Sequence, residues 1–364
     1  MVLDAPVVSI KARSFTIPTD RPEADGTLSW SSTTLVLVEA EAADRTGIGY
    51  TYADAALLPL INNKLAGAIR GQDAFDPQRA WRIMQGAVRN LGADGLAATA
   101  ISAVDAALWD LKAKLLDVPL ATLLGRFRSA IPVYGSGGFT SYPDEVLRDQ
   151  LAAWVERDGC RAVKMKIGSE PDRDPERVRA AKDAIGGAAL FVDANGGFGR
   201  KQAVTMGERF ADQGVAWFEE PVSSDDLDGL RFVRDHLPAS MEVAAGEYGY
   251  RAGYFARMLG AGAVDVLQAD ISRCGGVTGF MLVAALCEAE QIDLSCHCAP
   301  ALHLHAGCAA PRLRHLEWFH DHVRIEQMLF DGAPVARNGV IAPDLSRPGH
   351  GISFKEADAR PFAD

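Results

Sequence analysis

Two lysines, Lys164 and Lys166, are followed along the chain by Asp193, Glu219, Glu247, Asp270, His297 and Glu317, spaced 20 to 28 residues apart. That interval is one strand–helix–loop unit. Each polar residue also ends a short apolar run, such as Leu190-Phe191-Val192-Asp193 or Ala216-Trp217-Phe218-Glu219. Chemical groups at the carboxyl ends of successive strands are the arrangement of a parallel barrel. Asp193, Glu219 and Glu247 would then converge from three consecutive strands. Hard oxygen ligands of this kind suit Mg²⁺, one ion per subunit, with positions left for water and substrate oxygens. Without a cation the three carboxylates would repel one another, and three unrelated surface acids would not each follow an apolar run. Glu220 adjoins Glu219, and strand alternation alone does not decide which of the two faces the metal.

Lys164 and Lys166 share a strand face. Two buried ammonium groups lower each other's pKa and desolvation lowers it further, so one lysine can act as a general base while the other stabilises negative charge. Asp270 and His297 end neighbouring strands. A carboxylate beside an imidazole orients it and raises its pKa, which gives a dyad able to donate or accept a proton opposite the lysines. Glu317 closes the series and is expected to be protonated, donating a hydrogen bond to a developing oxyanion.

The elements that must position these groups follow from the patterning. Strands are expected at 7–17, 33–40 and 47–52, with a loop at 18–32 rich in Pro, Asp, Gly and Ser that could serve as a lid. Helices are expected at about 54–69, 76–91 and 97–116, so the amino-terminal region reads as a small α+β domain. From residue 131 short apolar strands alternate with helices. The strands are 131–134, 161–166, 189–193, 215–219, 241–246, 264–269, 292–297 and 313–317. Their apolar character fits strands buried on both faces. A doubly wound open sheet would need a Gly-rich phosphate loop, and Gly135-Ser136-Gly137-Gly138 lacks that spacing. The alternation stops near 324, and the tail is expected to wrap back onto the amino-terminal domain. The expected division is a cap at 1–128, a barrel at 129–323 and the tail at 324–364.

The 364 residues carry a net charge of −11, which disfavours nucleic acid and anionic membrane as partners. Residues 1–11 show no basic-then-apolar signal pattern, and no apolar stretch approaches the roughly 20 residues that span a bilayer. A cytoplasmic protein is expected. Cys296 and Cys298 flank His297, but alternation on a strand points both away from the face His297 uses. All six cysteines are therefore expected to be buried reduced thiols rather than a zinc site or a disulfide framework.

Taken together, Lys164-Met165-Lys166-Ile167-Gly168, Val192-Asp193-Ala194-Asn195, Glu219-Glu220-Pro221, Gly246-Glu247, Gln268-Ala269-Asp270, Cys274-Gly275-Gly276-Val277-Thr278, Ser295-Cys296-His297 and Leu316-Glu317 resemble the enolase superfamily and, within it, the mandelate racemase subgroup. The resemblance spans nearly the whole chain. It implies a modified (β/α)₇β TIM-like barrel, with an α+β capping domain formed by the amino-terminal region and the carboxyl-terminal tail. It further implies Mg²⁺ on Asp193, Glu219 and Glu247, with the first Glu of the Glu-Glu-Pro motif as ligand. Lys166 would be one base, and Lys164 would neutralise the substrate carboxylate. His297, held by Asp270, would be the second acid/base, and Glu317 and Asn195 would hold the substrate. Arg273 is a further candidate contact near the dyad. A homo-oligomer and a small-molecule carboxylate substrate are implied as well.

The shared chemistry is removal of a proton beside a carboxylate to give an enediolate. If His297 then protonates a departing β-hydroxyl, the enzyme is a sugar-acid dehydratase, the reading favoured here. If His297 returns a proton to the other face, it is a racemase or epimerase of a 2-hydroxy acid. A noncatalytic relative would be expected to lose a site residue, and none is missing. Cycloisomerases and dipeptide epimerases usually place a second lysine where this chain has Asp270 and His297, which counts against that branch. Substrate choice is expected in the cap, where Trp30 and Tyr52 are candidate contacts.

Overall fold

Alternating side chains near the amino terminus build a three-stranded antiparallel sheet of β1 (Ser9–Ala24), β2 (Ser29–Ala42) and β3 (Arg45–Tyr52), in a computed structural model that describes residues 4–364. Residues 1–3, part of the segment scanned for a signal pattern, lie outside the described residues. The middle strand is buried on both faces, which is why it reads as an unbroken apolar run. Val36, Val38 and Ala40 pack with the cap helices, whereas Leu35 and Leu37 join the core shared with the barrel.

The segment 18–32 is not a loop. β1 runs on to Ala24 and β2 starts at Ser29, with a register shift between Pro18 and Glu23. Pro and Gly marked the irregularity correctly, but the ribbon keeps its pairing through a bulge. The ribbon is pinned to the barrel, because Thr140 donates to the Ala24 carbonyl at 2.8 Å and Ser141 Oγ to that of Pro22 at 2.8 Å. At its tip, a Cβ on Gly26 would lie 2.4 Å from the Ala194 carbonyl oxygen and 2.7 Å from that of Ile167, so only glycine lets the ribbon reach the barrel mouth.

Parallel strands then alternate with helices: β4 (Ile131–Gly137), β5 (Ala162–Lys166), β6 (Ala189–Asp193), β7 (Val215–Glu219), β8 (Glu242–Ala245), β9 (Val266–Ala269), β10 (Asp293–Cys296) and β11 (Leu313–Phe319). Each pairs with the next, and β11 pairs with β4 to close the barrel. Tyr134, Phe191, Trp217, Ala244 and Val266 fill the interior as a separate cluster, a floor beneath the polar strand ends.

The loss of alternation expected near 324 falls inside a further helix, His320–Leu329, which follows β11. Its inward face carries Asp321 and Glu326, which receive hydrogen bonds from Thr33 and Tyr50 of the cap, so it lacks the apolar stripe that marks a helix in sequence. Beyond it the tail first pairs with the barrel, Val340–Ile341 against β4, and then returns to the cap as expected, where Ala363 bridges to Phe15 of β1. Among the described residues no helix is long and apolar enough to cross a membrane.

The Cys274–Thr278 motif joins barrel to cap. Gly275 and Gly276 take left-handed φ values of 99° and 71°. They present Thr278 to Asp105 of the cap helix Leu96–Leu115, with Thr278 N and Oγ1 donating to Asp105 at 2.9 and 2.7 Å. A Cβ on Gly276 would lie 2.5 Å from Asp105 Oδ2. Gly276→Ala is expected to cost at least about 1–3 kcal/mol in chemical denaturation. A midpoint unchanged from wild type would sink this account of the motif.

Glu326 ties three parts together by accepting from Tyr50 of β3 and, at 3.0 Å, from the Ala301 amide of the barrel. Burial pushes its carboxyl up to about 8 despite the hydrogen bonds it accepts. Its folded pKa thus lies above its unfolded one, and between about pH 4.5 and about pH 8 the folded chain keeps a proton the unfolded chain releases. Stability from this group therefore falls as pH rises through that window, by at most about 1.4 kcal/mol per pH unit. Glu326→Gln is expected to gain thermal stability relative to wild type between about pH 5 and about pH 8. Parallel melting curves for the two proteins across that range would refute the assignment.

Candidate active site

Strand register sets the polar row. Lys166 pairs with Asp193, and Asp193 pairs with Glu219, so the three lie side by side at the ends of β5, β6 and β7. Glu247 lies beyond the end of β8 and reaches the same place through Gly246, whose φ of 138° no side chain would tolerate, with Gln268 O 2.0 Å from a would-be Cβ. Asp193, Glu219 and Glu247 each offer a carboxylate oxygen within 4.8 Å of the others, and all three are buried. This resolves the choice within Glu219-Glu220-Pro221. Glu220, turned by a φ of 39°, is outside the triad, and burial with repulsion from Glu247 holds its carboxyl well above the usual range. The donor set is all oxygen, and Glu247 Oε2 is buried with no hydrogen-bond partner. Hard, unsatisfied carboxylate oxygens in a closed site fit a Mg²⁺-type cation.

Lys164 and Lys166 point inward from β5, as alternation requires. Their electrostatics differ from expectation. Lys164 pairs with Glu219 and, at 2.7 Å, with Glu317, while Lys166 pairs with Asp193. Desolvation pulls both ammonium groups down, but the surrounding carboxylates outweigh it and raise both pKa values. The mutual repulsion expected from their spacing is the smaller effect, since more carboxylates than lysines crowd the site. The same lysines hold Asp193 below its ordinary value against desolvation, whereas burial lifts Glu219 to about 8.

Across the barrel, Asp270 Oδ2 lies 2.8 Å from His297 Nδ1. Asp270 Oδ1 accepts from both the amide and the hydroxyl of Ser272 at 2.7 Å. Desolvation works against ionising His297, but Glu247 and Glu317, with Asp270, raise its pKa. Glu317 contradicts the expected protonated donor. It accepts from Ser136 Oγ at 2.6 Å and from the Cys298 amide at 3.1 Å. Burial opposes its charge, yet Lys164 and His297 hold it well below the usual carboxylate range.

These groups open into a cavity of about 310 Å³ roofed by the cap. All four expected contact residues line it, but with their polar atoms partly engaged. Trp30 Nε1 donates to the buried Glu23 at 2.9 Å, leaving only its ring for a ligand. The Tyr52 ring stacks on His322, and its hydroxyl donates to the His322 carbonyl at 3.4 Å. Asn195 Oδ1 is buried and unpaired. Arg273 is no surface residue: it lies 3.4 Å from Asp270 and 3.5 Å from Glu247, with Tyr248 stacked on its guanidinium.

Several lining residues escaped the sequence reading, among them Tyr248, Cys298, Phe319 and His322. Tyr248 and Cys298 sit next to Glu247 and His297 in sequence, a signal that could have found them. His322 belongs to the unexpected helix and had none. All six cysteines are buried and free, as expected, but Cys298 does not face away from His297. Its Sγ is 3.3 Å from His297 Nε2, because β10 ends at Cys296 and the left-handed φ of 52° at Cys298 breaks the strand alternation.

Comparison with known proteins agrees with this architecture. Residues 10–125 match the family described as mandelate racemase / muconate lactonizing enzyme, N-terminal domain, and residues 146–358 match the enolase C-terminal domain-like family. A mandelate racemase/muconate lactonizing enzyme-like protein from Rubrobacter xylanophilus superposes with a TM-score of 0.96 at 50% identity, covering 99% of this chain and 100% of that one. The 3,6-anhydro-α-L-galactonate cycloisomerase of Streptomyces coelicolor is 34% identical over 87% of this chain and 88% of its own length. The L-talarate/galactarate dehydratase of Salmonella typhimurium is 31% identical over 82% of this chain and 78% of its own length. Its structure with Mg and L-lyxarohydroxamate superposes with a TM-score of 0.89 at 26% identity, covering 99% of this chain and 93% of that one. Relatives of similar identity thus include both a cycloisomerase and a dehydratase.

Proposed function

The chain belongs to the mandelate racemase/muconate lactonizing enzyme family of the enolase superfamily, and from that premise we propose that it dehydrates a small sugar acid, an aldonate or aldarate, to a 2-keto-3-deoxy acid. The observation that carries the reading is His297, held by Asp270, lining the same cavity as Lys166 beside three converged carboxylates. Asp193, Glu219 and Glu247 would hold Mg²⁺, which would supply positive charge near the substrate carboxylate and offset the carboxylates that keep Lys166 protonated.

Lys166 takes the α-proton. Lys164, held beside Glu219 and Glu317, balances the charge that spreads onto the substrate carboxylate in the enediolate. His297 comes from β10, on the far arc of the closed barrel from β5, and so meets the opposite face of a bound substrate. Asp270 keeps its Nδ1 occupied, so Nε2 is the atom that moves a proton. That proton goes to the departing β-hydroxyl. Asn195 and Arg273 orient the rest of the molecule. A cavity of about 310 Å³ is at the small end of ligand sites and suits an acid of few carbons.

A racemase or epimerase of a 2-hydroxy acid is the second reading, supported by the apolar wall of Leu28, Trp30 and Phe319. A panel of mono- and diacid sugars with Mg²⁺, read as 2-keto acid by semicarbazide absorbance, separates the two. A positive well establishes dehydration and names the substrate. Silence from folded, metal-loaded protein overturns dehydration in favour of the racemase. The homo-oligomer implied by the resemblance and the cytoplasmic location expected from the sequence belong to the same proposal, and light scattering tests the first.

A further inference from the structure

The turn that brings Cys298 into the cavity is fixed by two histidines. His303 Nδ1 lies 2.9 Å from the Cys298 carbonyl, and His322 Nδ1 accepts the Ala299 amide at 3.2 Å. Cys298 Sγ is thereby placed 3.3 Å from His297 Nε2 and 3.4 Å from Glu317 Oε2, with those two atoms 3.6 Å apart. A nitrogen, a sulfur and an oxygen thus mark a buried triangle. Tetrahedral zinc, with Zn–S of about 2.3 Å and Zn–N or Zn–O of about 2.0–2.1 Å, sets such donors about 3.4–3.6 Å apart. The triangle is therefore preformed to within a few tenths of an ångström.

Three further features point to a ligand there. Asp270 occupies His297 Nδ1 at 2.8 Å, which leaves the Nε2 lone pair toward Cys298, the carboxylate–histidine arrangement that supports metal-bound imidazoles. Glu247 Oε2, buried and without a hydrogen-bond partner, faces His297 Nε2 from 3.3 Å. The thiolate and the Glu317 carboxylate would together balance a dication.

We propose that His297 Nε2, Cys298 Sγ and Glu317 Oε2 form a second metal site, selective for a thiophilic divalent cation such as Zn²⁺, whose occupation withdraws His297 from proton transfer. Binding forms a metal–sulfur bond and breaks the S–H bond, the proton passing to the buffer with no change of oxidation state. The thiolate sets the selectivity, because Mg²⁺ prefers the all-oxygen triad.

The test needs no substrate, so it stands apart from the proposed reaction. Full-length protein in excess Mg²⁺ is titrated with Cd²⁺ and followed by ultraviolet thiolate-to-metal charge transfer. One thiolate per chain is expected to bind at one equivalent, with Zn²⁺ displacing the Cd²⁺. Cys298→Ala is expected to lose the band while keeping its response to Mg²⁺, and Cys298→Ser, which preserves side-chain size, does the same if the alanine variant folds poorly. Asp270→Asn is expected to weaken Cd²⁺ binding by about 10–100-fold. Absence of the band from wild type, its persistence in either Cys298 variant, or its abolition by Mg²⁺ would overturn the site. Once a substrate is known, Zn²⁺ is expected to slow α-proton exchange in wild type and to leave Cys298→Ala at its own zinc-free rate. Equal inhibition of both proteins would overturn the effect on His297.

Discussion

Lys166→Ala is expected to slow removal of the substrate α-proton by about 10²–10⁴-fold, the range that a positioned general base contributes. Exchange of that proton in D₂O isolates the step from whatever follows it. His297→Asn is expected to lose its own step by a similar factor, but a different one: return of a proton to the opposite face, or expulsion of the β-hydroxyl. The two variants should therefore separate. In a dehydratase, His297→Asn still exchanges the α-proton while keto acid formation stops, whereas Lys166→Ala loses both. In a racemase, each variant exchanges one enantiomer only. Exchange equal to wild type in both variants would remove the two-base assignment.

The pH profile follows from the same two groups. The base must be deprotonated, and the carboxylates around Lys166 raise its pKa, so the rate climbs with pH. The acid must be protonated, and Glu247, Glu317 and Asp270 raise the pKa of His297 against desolvation, so its working range extends above that of a free imidazole before the rate falls. The descending limb belongs to keto acid formation, so α-proton exchange in His297→Asn, which survives, is expected to show the ascending limb alone.

The barrel was legible because its strands are buried on both faces and end in charge. Ala189–Asp193 and Val215–Glu219 have observed bounds equal to those read from apolar runs. The ribbon at 18–32 was not legible, because its pairing survives a bulge and its anchors, Thr140 and Ser141, lie more than a hundred residues away. Glu219 could not be separated from Glu220 by alternation, since period two gives a face but not which face is inside. Cys298 was assigned to the wrong face for a related reason. Alternation holds only while the strand lasts, and two consecutive left-handed residues, Cys298 and Ala299, end it. The charge states of Lys164, Lys166 and Glu317 depend on which groups the fold gathers. Sequence spacing showed the lysines to each other but not the ring of carboxylates that outweighs their repulsion.

That crowding has a consequence for stability. Glu247→Gln is expected to make the metal-free protein more stable than wild type and to abolish its response to Mg²⁺. In wild type the triad carboxylates lie within 4.8 Å of one another, Glu247 adds to the repulsion that holds Glu220 well above its ordinary range, and Glu247 Oε2 has no hydrogen-bond partner. A neutral amide of the same shape removes the repulsion. The ion pair it forfeits with Arg273, at 3.5 Å, is backed by contacts the variant keeps: the Glu247 carbonyl at 3.2 Å and Asp270 at 3.4 Å. Mg²⁺ at a hundred times its dissociation constant stabilises wild type by about 2.7 kcal/mol. For a chain of this size each kcal/mol raises the melting temperature by at most about 2–4 °C. The order of the two proteins should therefore invert, with the variant melting above wild type in chelator and below it in excess Mg²⁺. A wild-type-sized Mg²⁺ shift in the variant would show that Glu247 is not a ligand. A variant less stable than wild type in chelator would show that Glu247 stabilises the metal-free fold through its pairing with Arg273 and His297 more than it strains that fold through repulsion.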